Sequence, residues 1–199
     1  MEAHIFTSRH LRLTCGYTGV MEPALKRTFV RFSIDRLKLL ASRIEDCLGR
    51  LTKQQVWARS NENQNAIGNL VLHLCGNVRQ WIISGIGGAP DVRQRDAEFA
   101  ARATASRPEL AAALTTTLGE ALTVLENLPL TRLGERLIVQ DREVTVLEGI
   151  YTVVEHFAGH TGQIIFATKL HAGQDLGQKA VGRKQKAESS RQKAESRRQ

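Results

Sequence analysis

Glu155-His156-Phe157-Ala158-Gly159-His160-Thr161-Gly162-Gln163 is the stretch on which the reading of this chain turns. On a helix its two histidines, four residues apart, lie about 40° from each other at ~100° per residue. Gln163 falls within about 20° of His156 on the same wheel, so three polar heads share one face. Phe157, Ile164 and Ile165 flank them. Imidazoles set beside apolar side chains need a partner, and a divalent metal ion is one that would serve. The segment therefore reads as an inward-facing helix of a helical protein, with a third ligand to be sought elsewhere.

Working outward, this helix spans about Thr145 to His171, where Gly173 ends it. His171 returns to nearly the angle of His160 but stands ~16 Å further along the axis, which removes it from any shared site. Before the helix, Leu137 to Val146 alternates around the polar Gln140-Asp141-Arg142-Glu143 and reads as a short hairpin or extended crossover.

A second helix, from about Asn65 to Ser84, supplies the candidate third ligand. Ala66, Asn69, Asn77 and Gln80 lie within ~40° of His73, while Ile67, Leu70, Leu74, Val78 and Trp81 form the adjacent apolar arc. An ordinary histidine on a partly exposed polar face gives the same pattern. Cys75 sits ~160° from His73 and cannot share its ligand. Two further helices follow from apolar residues recurring at threes and fours: Pro23 to about Leu51, and about Pro108 to Leu128. The run Asp91-Val92-Arg93-Gln94-Arg95-Asp96-Ala97-Glu98-Phe99 reads as a solvated, charge-dense connector. An alternative puts Arg93 or Arg95 at the edge of a pocket for an anionic substrate. Glu155, ~100° from His156, is not at a ligand angle.

The chain has 199 residues and a formal charge of +8. Residues 178–199 carry eight Lys/Arg against two Glu, a balance of +6, which leaves +2 for residues 1–177. The basicity thus belongs to the tail and does not argue for a specific nucleic-acid partner. No run of 18 apolar residues suggests a membrane span. Three cysteines (Cys15, Cys47, Cys75) without CxxC spacing fit reduced, structural thiols and a cytoplasmic location. Residues 1–21 lack an apolar stripe and read as a loosely ordered extension, or as the product of a start assigned too early with Met21 the true one. Residues 178–199, with the repeat Gln-Lys-Ala-Glu-Ser, read as a disordered basic tail.

Four long helices make an all-α four-helix bundle over residues 22–177 the expected fold, with metal sites built from inward side chains on facing helices. His73, His156 and His160 with one open position describe a catalytic-type divalent site.

Three blocks resemble the DinB superfamily, in particular its DUF1572-like branch. They are Asn65-Ala66-Ile67-Gly68-Asn69-Leu70-Val71-Leu72-His73-Leu74, Gly87-Gly88-Ala89-Pro90-Asp91, and Glu155 through Ile164. The resemblance implies a bundle of up-up-down-down type with long crossover connections, often dimeric. It also implies a divalent metal, zinc or nickel foremost, held by His73, His156 and His160. Characterised relatives include thiol transferases and thiol-dependent isomerases. The expectation is therefore a homodimer with a small-molecule substrate, a low-molecular-weight thiol being one candidate, and a metal-dependent transferase or hydrolase reaction. Asn69, Asn77, Gln80 and Gln163 are expected to support the ligands or orient substrate. A non-catalytic metal-binding or stress-associated protein, and a metal-free helical interaction module, are the rival expectations.

Overall fold

Apolar residues at helical spacing build the helices of the computed structural model, which describes residues 23–173. Pro23 opens α1, Pro23–Arg50, where a missing N–H costs nothing. A capping box of Thr52 and Gln55 starts the single turn α2, Lys53–Val56. The next helix, α3, Ile67–Val78, continues without a break as a π-helical segment, Arg79–Ile86. In that wider coil Gly87 N–H bonds the carbonyl of Ile82, five residues back, at 2.9 Å. The short helix α4, Arg95–Ala100, lies in the crossover that follows.

Ser106 and Glu109 form the capping box of α5, Arg107–Glu126, and Thr145 and Glu148 that of α6, Val146–Ala172. Between them a short 3₁₀ turn, Leu130–Gly134, leads into strands β1, Arg136–Val139, and β2, Arg142–Thr145. The strands pair antiparallel, with Val139 opposite Arg142. Gln140 and Asp141 turn between them, both at positive φ (53° and 58°), the geometry of a tight primed hairpin turn. The expected hairpin is thus present. Gly173, at φ 61°, closes α6 in the left-handed conformation that glycine adopts without a Cβ penalty.

Cross-helix bonds fix the helix directions. Arg107 reaches the carbonyls of Leu48 and Gly49, and Lys38 pairs with Glu126, so α1 and α5 are antiparallel. Arg79 pairs with Glu120 and Cys75 lies beside Thr117, so α3 and α5 are parallel. Cys47 meets Thr168, and Gln55 bonds the carbonyl of His171, which makes α1 and α6 parallel. The order is up-down-down-up. The up-up-down-down order that the resemblance implied is corrected: residues 87–106 cross over between the parallel α3 and α5, and residues 51–66 and 127–145 reverse the chain after α1 and before α6.

Leu37, Ile44, Leu74, Leu110 and Ile150 are fully excluded from solvent, and Trp81 and Phe157 are the largest side chains beside them. Burial of such residues is worth roughly 1.5–3 kcal/mol each. No helix among the described residues is long and apolar enough to cross a membrane. The N-terminal extension and the basic tail lie outside the described residues.

Candidate metal centre

The site forms where α3 and α6 run antiparallel. Gly149 faces Trp81 and Ile86 at one end of the contact, and His156 faces His73 further along. His156 and His160 are one helical turn apart on α6 and therefore project together toward α3. The rings of His73 and His156 are 5.0 Å apart, those of His73 and His160 also 5.0 Å, and those of His156 and His160 4.4 Å. One ring nitrogen from each falls within 4.8 Å of the others, a group that could hold a metal ion.

The outer faces of these rings decide whether the donors suit a cation. On the far side of His73, Nδ1 lies 2.9 Å from Glu98 Oε2. Arg93 grips that carboxylate twice, Nε to Oε1 at 2.8 Å and Nη2 to Oε2 at 2.9 Å. Burial pushes the Glu98 carboxyl upward, but the bonds from Arg93 and His73 hold it below its ordinary value. Glu98 is therefore a carboxylate that can only accept, and it stands where a proton on His73 Nδ1 would be received. Arg93 Nη2 also lies 3.1 Å from His73 Nδ1, so two donors converge on Oε2. With the proton on Nδ1, His73 Nε2 is a lone pair, 2.9 Å from His156 Nε2. His160 Nδ1 is likewise satisfied by Gln163 Oε1 at 2.9 Å, leaving Nε2 for the interior.

The neutral forms of His156 and His160 are favoured. Burial first, then the neighbouring His160, His73, Arg93 and Arg95, lower His156 to about 4. Burial also lowers His160, against the opposing bond from Gln163. Imidazole donors without a carboxylate among them fit a borderline divalent ion rather than calcium or magnesium.

The four supporting residues fall in different places. Gln163 touches His160 directly. Asn69 is fully buried, accepts from Ala66 N–H and Arg59, and donates to the carbonyls of Glu98 (2.8 Å), Phe99 and Ala101 (3.0 Å). It fixes the α4 backbone and does not contact the histidines. Gln80 accepts from Arg93 Nη1 (2.9 Å) and from Gln140 of the hairpin, and donates to Asp91. It joins the cluster two links behind His73. Asn77 is buried, and its Oδ1 has no hydrogen-bond partner among the described residues.

The charge-dense connector is not simply solvated. The side chains of Arg93 and Glu98 are only 3% and 10% exposed. Phe99 of the same segment packs on His73 with ring centroids 4.6 Å apart, and Arg95 lies over Phe99 at 5.1 Å. Glu98 and Phe99 escaped the periodicity because neither belongs to a long helix. The available signal was Gly76, a glycine inside α3 three residues after His73, since an interior helix glycine marks a close approach.

On the solvent side, an open cleft of ≈ 420 Å³ is lined by Thr152, Glu155, His156, Gly159, His160 and Gln163. Glu155 thus stands at the rim, exposed. Cys75 and Cys47 lie away from the histidines, beside Thr117 and Thr168; burial raises both thiols, Cys75 to about 11. They are protonated structural side chains.

The family model described as "Protein of unknown function (DUF1572)" matches residues 24–185. Among solved structures, a conserved protein from Enterococcus faecalis superposes with a TM-score of 0.60 at 15% identity, covering 78% of this chain and 100% of that one. A DinB-like protein from Bacillus cereus ATCC 10987 superposes with a TM-score of 0.55 at 15% identity, covering 69% of this chain and 88% of that one. At such identity the likeness is one of fold. A search among curated proteins returns no match.

Proposed function

This chain belongs to the DUF1572 family and has a DinB-like fold, and from that footing we propose that it is a divalent-metal protein working as a metal-dependent enzyme on a small electrophile. The observation that carries this reading is the convergence of His73, His156 and His160 within 4.8 Å. Its complement is the outer hydrogen bond that both His73 and His160 make, to Glu98 and Gln163.

His73, His156 and His160 would hold the ion, zinc or nickel, each through one neutral nitrogen. A bound ion with an open position lowers the pKa of water or of a thiol toward neutrality, which supplies a nucleophile for transferase or hydrolase chemistry. The protein's own residues do the rest. Glu98 and Gln163 hold the imidazole protons on the outer nitrogens. Phe99 covers one side of His73. Glu155 and Thr152 border the cleft through which a small molecule would enter. The described thiols, Cys47 and Cys75, are held protonated, so a thiol nucleophile would come with the substrate, as a low-molecular-weight thiol.

The test is a screen of thiols and electrophiles with the protein in chelator, zinc or nickel. Turnover that appears only with metal and is lost in His160→Ala supports the enzyme reading. Stoichiometric metal without turnover favours a non-catalytic metal protein, the second reading.

The working unit in this proposal is the bundle over residues 22–177, cytoplasmic and dimeric. Leu25 and Phe32, seven apart on one face of α1, and Phe166 and Leu170, four apart on α6, are exposed apolar pairs that a second copy would cover. A monomer in sedimentation at micromolar concentration would exclude the dimer.

A further inference from the structure

Behind the histidine cluster lies a second, half-buried cluster that the metal itself would not touch: Arg93, Glu98, Gln80 and the bare backbone at Gly76. We infer that Glu98 is the positioning residue of this site, holding His73 in the Nδ1–H form with Nε2 turned to His156 and His160, and that Gly76 and Arg93 exist to seat it. This rests on the proposal that the triad binds a metal ion, but the seating itself concerns only residues of this chain.

Three observations carry it. First, Glu98 is wholly committed to these two neighbours. Both of its carboxylate oxygens are spent on Arg93 and His73, at 2.8–2.9 Å, in a nearly solvent-free place. A buried ion pair of this kind gives little net stability against an apolar alternative, so its presence calls for a reason beyond folding.

Second, α3 has been hollowed to admit it. A Cβ at position 76 would stand 1.9 Å from Glu98 Oε1 and 3.0 Å from Arg93 Nε. Glycine inside a helix is less favourable than alanine, and here it opens the space through which the carboxylate reaches His73.

Third, the segment bearing Glu98 is pinned at its backbone. Asn69 Nδ2 donates to the carbonyls of Glu98, Phe99 and Ala101, and Arg59 donates to that of Phe99. Asn69 is one helical turn before His73 on α3, so ligand and supporting carboxylate are registered to the same helix. Gln80 then fixes Arg93 from the other side, and Gln140 of the hairpin tip fixes Gln80. Carboxylate partners of ligating imidazoles set their tautomer and raise their basicity, and losing one typically lowers metal affinity about 10–100-fold.

The experiment uses the full chain, wild type against Glu98→Gln and Gly76→Ala, with Gly119→Ala as a helix-glycine control because a Cβ there meets nothing within 4 Å. Nitrogen-15 NMR of the metal-free proteins reads the tautomer of His73, and chelator competition reads the zinc dissociation constant. Gly76→Ala removes no charge and meets no atom of His73; it displaces the movable ends of Glu98 and Arg93. The expectation is Nδ1–H at His73 in wild type and in Gly119→Ala. In Glu98→Gln and Gly76→Ala a mixture with Nε2–H should appear, and zinc should bind at least about tenfold more weakly. Nε2–H at His73 in the wild type overturns the inference. So does wild-type zinc affinity in both Glu98→Gln and Gly76→Ala. A wild type that keeps Nδ1–H, loses it in the two variants and takes up no zinc supports the seating of His73 while refuting the metal reading, so the two failures are told apart.

Discussion

Replacing Arg93 by Met leaves Glu98 as a buried carboxylate without its counter-charge. The Arg93 side chain is 3% exposed and bridges Glu98 through two bonds, with a third to Gln80. Breaking a buried pair by removing one member costs about 3–5 kcal/mol, because the remaining charge is stranded in a poorly solvated place. For a domain of this size that corresponds to a fall in Tm of roughly 6–20 °C, at about 2–4 °C per kcal/mol. The double variant Arg93→Met/Glu98→Gln strands no charge and should recover at least about 2 kcal/mol of the loss, an interaction term of the size found for residues in one network. The single variant should also be closer to wild type at pH 5 than at pH 8, since Glu98 can then take up a proton. Urea unfolding followed by circular dichroism measures all four corners of the cycle. Chelator must be present throughout, because bound metal would add its own stabilisation. A loss under about 1 kcal/mol in Arg93→Met, or simple additivity in the double variant, would mean that these charges are solvated and the network is not what the distances say.

Other outcomes follow from the same geometry. The metal-free protein should be acid-labile. The folded pKa of His156 is depressed to about 4 from 6.5, so its neutral form is favoured in the fold while the unfolded chain takes up a proton below 6.5. Stability is therefore full above that value and falls as pH drops from 6.5 toward 4. The full shift would be about 3 kcal/mol, discounted to roughly 2 for a half-buried ring. Glu98, also depressed, adds a loss at still lower pH. Melting temperatures of wild type and His156→Phe between pH 7.5 and 4.5 check the slope, which the variant should flatten. At Asn77, the unpartnered Oδ1 predicts that Asn77→Leu costs less than about 1 kcal/mol and can stabilise, since replacing an unsatisfied buried polar atom is near neutral. A loss above about 2 kcal/mol in urea unfolding would show that the amide is satisfied after all.

The four long helices were legible because their apolar residues recur at helical spacing and their ends carry local signals. Pro23 and Pro108 stand at starts, and Gly173 marks the last stop. The histidine face was legible for the same reason: His156 and His160 are one turn apart, and His73 sits on a single polar stripe. What the spacing does not carry is contact between segments far apart in the chain. Glu98 is 25 residues from His73, inside a run of charges whose ordinary fate is to face water. It is buried only because Arg93, five residues earlier, neutralises it and Gly76 makes room. Asn69 illustrates the same limit: its angle beside His73 suggested that it supports the ligands or orients substrate, but not through which contacts. Its amide bonds the carbonyls at the end of α4, the segment that carries Glu98. The π-helical stretch Arg79–Ile86 has no signature in residue type, and helix direction is not a property of any one helix.

Elemental analysis of untagged protein, wild type beside His156→Ala, tests the central claim most directly. The account predicts about one divalent ion per chain in the wild type and a loss of most of it in the variant, because two imidazoles no longer make a tight site. Unchanged stoichiometric metal in His156→Ala, or a wild type that takes up none from excess zinc or nickel, would contradict it.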